Sequence, residues 1–331
     1  MTEPVLTVAW LVLAHLVADF VLQNDWIAMN KGAESRAGWS ALAVHGAHVG
    51  LCLVPAVLAW GATGLLYLVV VVASHMVVDR WKVHATRAAD RRAQAQARAR
   101  LEQDGSQQVS GLGSAWSPMP GLLFLADQVF HLLFAILGWL VILAGASLMP
   151  AFVDAMNSAL RDWDRSSVHA VVLSAVILIS LLIVNTRGAF YFVMAMASPR
   201  DIRPVPGAAA SAGETAAPAS AVTAAPASAV PAASAMPSAS AAPMLPEVVP
   251  VGAALRVAGA TAAFERLLVV AFVLTGAQVA VAAVIAFDLV ARFRQLEDRR
   301  FVEHYVLSTF TSLSVAVGSG LVGLAALHTL G

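Results

Sequence analysis

The stretch AHLVADFVLQ, Ala14 to Gln23, sets His15, Asp19 and Gln23 four residues apart inside an apolar run. On a helix of 3.6 residues per turn these three share one face. A polar stripe inside a membrane segment needs partners. Three later segments supply the same residue types: His45 with His48, His75 with Asp79, and Asp127 with His131, each pair three or four apart. We read the four pairs as one buried site.

Composition sets the class around that stretch. The 331 residues are 59% hydrophobic and only 12% charged, and the mean hydropathy is +0.77, whereas soluble domains sit near 45 to 50% apolar and about 25% charged. This excludes an ordinary soluble domain and predicts an all-α, polytopic transmembrane helical bundle of about six spans. Formal net charge is zero, so any electrostatic message lies in where the charges sit. Cys52 is the single cysteine, which rules out an intrachain disulfide framework.

Residues 4–23 are long and apolar enough to cross about 30 Å of hydrocarbon. No Lys or Arg precedes them, and His15 and Asp19 do not suit a secretory signal, so we expect the segment to be retained. Further spans are predicted at 41–60, 65–81, 121–146 and 168–184, with Gly61 to Gly64 as a tight turn. Between Arg80 and Arg100 lie seven Lys or Arg residues against the single acid Asp90, and basic loops stay cytoplasmic. Residues 82–120 are therefore expected inside, and the N-terminus outside. The same basic segment gives no clear sign of nucleic-acid binding, since topology alone explains its charge.

Four regions follow. Residues 1–146 form a four-span domain carrying the His/Asp site, and 147–198 an outer loop with the fifth span. Residues 199–250, rich in Ala, Pro and Ser with AAPASAV repeated at 216–222 and 224–230, read as a disordered cytoplasmic linker. Residues 251–331 hold the C-terminal membrane segments. A single long span over 264–290 would put Arg292, Arg294, Arg299 and Arg300 outside. A re-entrant hairpin turning at Gly276 keeps them inside, followed by a last span over 305–327.

This topology puts all four polar pairs at one depth, about 5 to 15 Å below the cytoplasmic interface at 1.5 Å per residue. Ionisable groups in a membrane are costly unless paired and usually mark function. Imidazoles and carboxylates paired at i,i+3 or i,i+4 on facing helices are how bundles build metal sites. We take His15, Asp19, His45, His48, His75, Asp79, Asp127 and His131 as candidate ligands of zinc, iron or manganese, with Gln23, Lys82 and Gln128 orienting them or contacting an anionic head group. A divalent ion would suit hydrolysis of a lipid or phosphoester. Two other readings stand beside it: a structural polar network between helices, as in a membrane scaffold, and a proton pathway of a transporter. The oligomeric state is not readable from the sequence.

The stretches HLVADFVLQNDWIAMNK (His15 to Lys31), HGAH (His45 to His48), HMVVDRWK (His75 to Lys82) and DQVFH (Asp127 to His131) together resemble the bacterial inner-membrane family called domain of unknown function 3307. ERLLVVAFVLTGAQ (Glu265 to Gln278) and ARFRQLEDRRFVEHY (Ala291 to Tyr305) resemble a tail of its longer members. The resemblance implies a multi-pass protein of the bacterial inner membrane with no established activity. A fainter likeness in His and Asp patterning to inner-membrane metal-dependent hydrolases is analogy.

Overall fold

A computed structural model of the chain describes residues 4–104, 117–197, 251–297 and 299–328. The proposed linker at 199–250 lies outside the described residues. Every regular element described is helical. They are α1 (Pro4–Leu16), α2 (Asp25–Asn30), α3 (Arg36–Trp60), α4 (Ala62–Asp104), α5 (Met119–Gly138), α6 (Pro150–Ala159), α7 (Arg165–Ile183), α8 (Ala189–Ala197), α9 (Val251–Leu274), α10 (Gln278–Ala291) and α11 (Arg299–Leu327). Six stretches are long and apolar enough to cross a membrane: Pro4–Val21, Arg36–Trp60, Ala62–Gln96, Met119–Leu143, Arg165–Ala197 and Val302–Leu327. The chain is a multi-pass helical membrane protein.

Local chemistry explains the boundaries. Asn24 Oδ1 accepts from the Ile27 N–H at 2.9 Å and starts α2, and Ser35 Oγ accepts from Gly38 N–H at 3.2 Å and starts α3. Pro150 opens α6 at a position that needs no N–H partner. Gly61 at φ 60° and Gly276 at φ 74° reverse the chain in a region that other residues rarely adopt.

Several elements run further than the sequence suggests. The turn after α3 is Gly61 alone, with Ala62 already helical. The third span continues without a break into the basic segment as α4, because Ala, Gln and Arg are strong helix formers and no Pro or Gly interrupts them before Gly105. Residues 150–159 of the expected outer loop form α6, and the fifth span persists to Ala197 through a π-turn at Val184–Gly188. The hairpin turns at Gly276, yet its first arm begins at Val251 rather than near Phe264.

Packing divides into two main apolar clusters. Leu11, Val49, Leu53, Tyr67, Val71, Ala135 and Leu143 join α1, α3, α4 and α5. Leu173, Ile177, Leu181, Val269, Val270, Val273 and Ala316 join α7, α9 and α11. Tyr67 is fully buried and donates its hydroxyl to the Ala135 carbonyl at 3.0 Å, tying α4 to α5. Gly64 lets α4 leave the turn directly against α3, since a Cβ there would fall on the Ala56 carbonyl. Gly64→Ala should therefore lower the thermal unfolding midpoint in detergent by several degrees, whereas Gly50→Ala, whose Cβ would sit 3.7 Å from Val72, should leave it nearly unchanged.

Candidate metal centre

Each polar pair lies one helical turn from the first apolar cluster. His15 follows Leu11, His45 precedes Val49, His75 follows Val71 and His131 precedes Ala135, and all four apolar partners are buried. The polar residues therefore form a layer stacked on an apolar layer. Asp19 sits in a π-turn, Val17–Val21, where the Leu22 N–H reaches back to the Val17 carbonyl at 2.9 Å. Such turns recur at functional sites because the extra residue re-aims a side chain.

Seven of the eight candidate ligands meet. His15, His75 and His131 form one set of donors, Asp19, His45 and His75 a second, and Asp19, Asp127 and His131 a third, each set within 4.8 Å. Asp79 joins through its Oδ2, 3.3 Å from His45 Nε2 and 3.8 Å from His75 Nε2. His45 and Asp127 are fully buried, and none of the seven exceeds 8% exposure. His48 enters none of these sets. It is half-buried on α3, with Nδ1 lacking a hydrogen-bond partner.

The spacing of the second set is suggestive. Asp19 Oδ1 lies 3.4 Å from His45 Nε2 and 3.2 Å from His75 Nε2, and the two imidazole nitrogens are 3.0 Å apart. Donors at tetrahedral corners about 2.0 to 2.1 Å from a zinc ion are separated by about 3.3 Å. Asp19 Oδ1, Asp127 Oδ1 and His131 Nδ1 are buried without any hydrogen bond, a costly state unless something else engages them. Residues of this kind fit a metal ion. Because Asp19 belongs to two sets, the cluster has donors for two ions sharing that carboxylate.

Of the three residues proposed to orient the ligands, Gln128 and Lys82 touch them, and Gln23 meets only Lys31. Gln128 Oε1 lies 3.0 Å from His15 Nε2, and Gln128 Nε2 donates to Asp127 at 3.0 Å and Asp19 at 3.4 Å. Lys82 Nζ donates to Asp127 Oδ2 at 2.7 Å. Gln23 accepts from Lys31 Nζ at 2.7 Å.

Lys31 itself is a site residue that sequence reasoning missed. Its ammonium donates to both oxygens of Asp79, at 2.9 and 3.2 Å. Burial works against that charge, but the Asp79 carboxylate, with Asp19 and Asp127 beyond it, raises the pKa above the ordinary lysine value. The available signal was the count of carboxylates, which exceeds the cations inside the predicted spans.

A cavity of about 480 Å³ leads away from the cluster. Asp19, Asp79 and Gln128 line one part of it, Lys31, Lys82 and Arg87 another, and Phe20, Met29, Phe124 and Tyr191 supply apolar walls. The arrangement suits an anionic group attached to an apolar body.

Residues 7–160 match the family described as "Protein of unknown function (DUF3307)". That segment belongs to this family. It contains every residue of the cluster, while the C-terminal stretches that resemble a family tail lie outside the matched region. No curated protein and no solved structure matches the chain.

The Lys31–Asp79 pair yields a test. Lys31→Met should destabilise the metal-free protein by about 3 kcal/mol, because it leaves the Asp79 carboxylate buried without its ammonium partner. Lys31→Met with Asp79→Asn should recover most of the loss. Chemical denaturation in detergent compares them, and equal stability of the single and double variants would contradict an energetically important pair.

Proposed function

We propose that this protein is a membrane-embedded, divalent-metal-dependent hydrolase of a lipid or other phosphoester, with its site open towards the cytoplasmic face of a bacterial inner membrane. The observation that carries this reading is the set of buried donors Asp19 Oδ1, Asp127 Oδ1 and His131 Nδ1, which carry no hydrogen bond, beside two imidazole nitrogens at ligand-to-ligand spacing. Zinc, iron or manganese in this donor set would polarise a phosphoryl oxygen and activate the attacking water. Hydrolysis adds one water across the P–O ester bond, and the alcohol leaves with one of its protons. Lys31, Lys82 and Arg87 line the cavity where the phosphate's negative charge would lie, and Phe20, Phe124 and Tyr191 accept an acyl chain or similar apolar body. Positive charge on α4 beyond the site supports the cytoplasmic orientation.

One observation favours a second reading. Asp79 and Asp127 are each already neutralised by a lysine, at 2.9 and 2.7 Å. A network balanced without metal could serve as a packing device of a non-enzymatic scaffold, or relay protons in a transporter.

Elemental analysis separates the two. Wild-type protein purified in detergent and reconstituted with divalent ions should hold one to two equivalents of zinc, iron or manganese. A His15→Ala/Asp19→Ala variant of equal monodispersity should lose most of it, and His48→Ala should retain it. Absence of metal from the reconstituted wild type would sink the hydrolase reading and leave the lysine-balanced network.

A further inference from the structure

The C-terminal helices build a second polar cavity, lined by none of the residues of the candidate metal centre. Its volume is about 240 Å³, and α9, α10 and α11 supply most of its wall. Arg266 of α9 stands at its buried side, only 3% exposed. Arg266 Nε donates to the Asn185 carbonyl at 2.6 Å and Nη1 to Ser312 Oγ at 3.0 Å. Both partners are neutral, and these bonds use two of the five guanidinium donors.

The other charges of the cavity satisfy one another. Arg292 Nε donates to Asp288 Oδ1 at 2.8 Å, and the Tyr305 hydroxyl donates to Asp288 Oδ2 at 2.7 Å. Arg292 Nη2 also lies 4.0 Å from Glu265 Oε1. Arg292 and Glu265 are each about a third exposed at their side chains, so this network sits towards the mouth. Among the described residues no carboxylate comes within ion-pair distance of the Arg266 guanidinium. Glu265 acts on it only from beyond that distance, and a buried cation without a counter-ion in contact is costly in an apolar helical bundle, where such groups usually mark a ligand or ion path.

We propose that this cavity is a phosphate site, in which Arg266 supplies the charge and its unused guanidinium donors, with the Ser312 hydroxyl, supply the hydrogen bonds. Ser312 accepts from Arg266 and keeps its own hydrogen to donate. Three unused guanidinium donors plus the Ser312 hydroxyl offer more donors than a carboxylate has oxygens, and match a tetrahedral oxyanion better. Two sources share this chemistry. A phospholipid head group is one, since the segment after α10 carries Arg292, Arg294, Arg299 and Arg300 and would gather anionic lipid. Free phosphate is the other.

The test uses the full chain in detergent. Binding of dihexanoylphosphatidylglycerol, dihexanoylglycerol and inorganic phosphate is measured by native mass spectrometry and calorimetry for wild type and Arg266→Gln. The phosphatidylglycerol should bind wild type at least tenfold more tightly than the phosphate-free diacylglycerol, and Arg266→Gln should erase that difference. Competition by inorganic phosphate would identify the free anion as a ligand, and its failure to compete the lipid head group; either result supports the site. Equal binding of the two lipids to wild type with no phosphate binding, or unchanged selectivity in Arg266→Gln, overturns it. Should Arg266→Gln not remain monodisperse, Ser312→Ala replaces it. That variant should lose several-fold in phosphatidylglycerol affinity, and an unchanged affinity would likewise overturn the proposal.

Discussion

Three carboxylates buried together inside an apolar helical bundle govern the arrangement of the first five helices. Asp19, Asp79 and Asp127 are each at most 5% exposed, and like charges so close in a low dielectric repel strongly. Each needs a positive partner or shared donors. Lys31 answers Asp79 and Lys82 answers Asp127. These demands shape the chain around the site: α2 packs against α3 so that Lys31 reaches Asp79 on α4, and α4 stays helical past the apolar span so that Lys82 stands beside Asp127. Asp19 is left to the imidazoles of His45 and His75. A charge deficit is therefore focused on the residue shared by two donor sets.

The neighbouring apolar layer makes that concentration tolerable. Leu11, Val49, Val71 and Ala135 close one side of the polar residues, leaving between the layers a void of about 20 Å³, room for little more than one water. The large cavity lies on the other side. Access is thus one-sided. Burying the cluster against Leu11 and Val71 also fixes imidazole orientation, since dense packing leaves few rotamers open. His75 and His131 stack with ring centroids 3.8 Å apart, which holds two of the donors to one another.

Spacing of His and Asp in the sequence made the convergence readable, because on helices a step of three or four keeps a pair on one face and an apolar run fixes which segments are helices. It could not separate His45 from His48. A residue three or four positions along lies to one side or the other of the same stripe, so packing of α3 against α4 decides. Gly46 permits that close packing, with Met76 Sδ 3.0 Å from where its Cβ would be, and the contact turns His45 inward. Lys31 was hidden because its role needs the reversal made by α2, a tertiary fact. The π-turn at Asp19 has no residue signature, and the extent of α4 depends on Arg, Ala and Gln that suit a loop by charge and a helix by propensity. Arg266 adjoins Glu265 in the sequence with nothing to mark it, and only the packing of α9 against Asn185 and Ser312 shows it buried.

The lysines and a metal ion would engage different oxygens: Lys31 and Lys82 hold Asp79 and Asp127 Oδ2, whereas Asp19 Oδ1 and Asp127 Oδ1 carry no hydrogen bond. Two ammoniums leave the three carboxylates one negative charge in excess, whereas a divalent ion on Asp19 and the imidazoles leaves an excess of positive charge in the same layer. The relief available is outward, because Lys31, Lys82 and Arg87 border the large cavity. An anionic group entering there would take up the surplus, and its affinity would rise with metal loading. By linkage the metal would then bind more tightly in the presence of that anion. Under the hydrolase reading the lysines thus have two uses in succession. They hold Asp79 and Asp127 in the metal-free protein, and they border the space in which the phosphate would lie once a metal is bound.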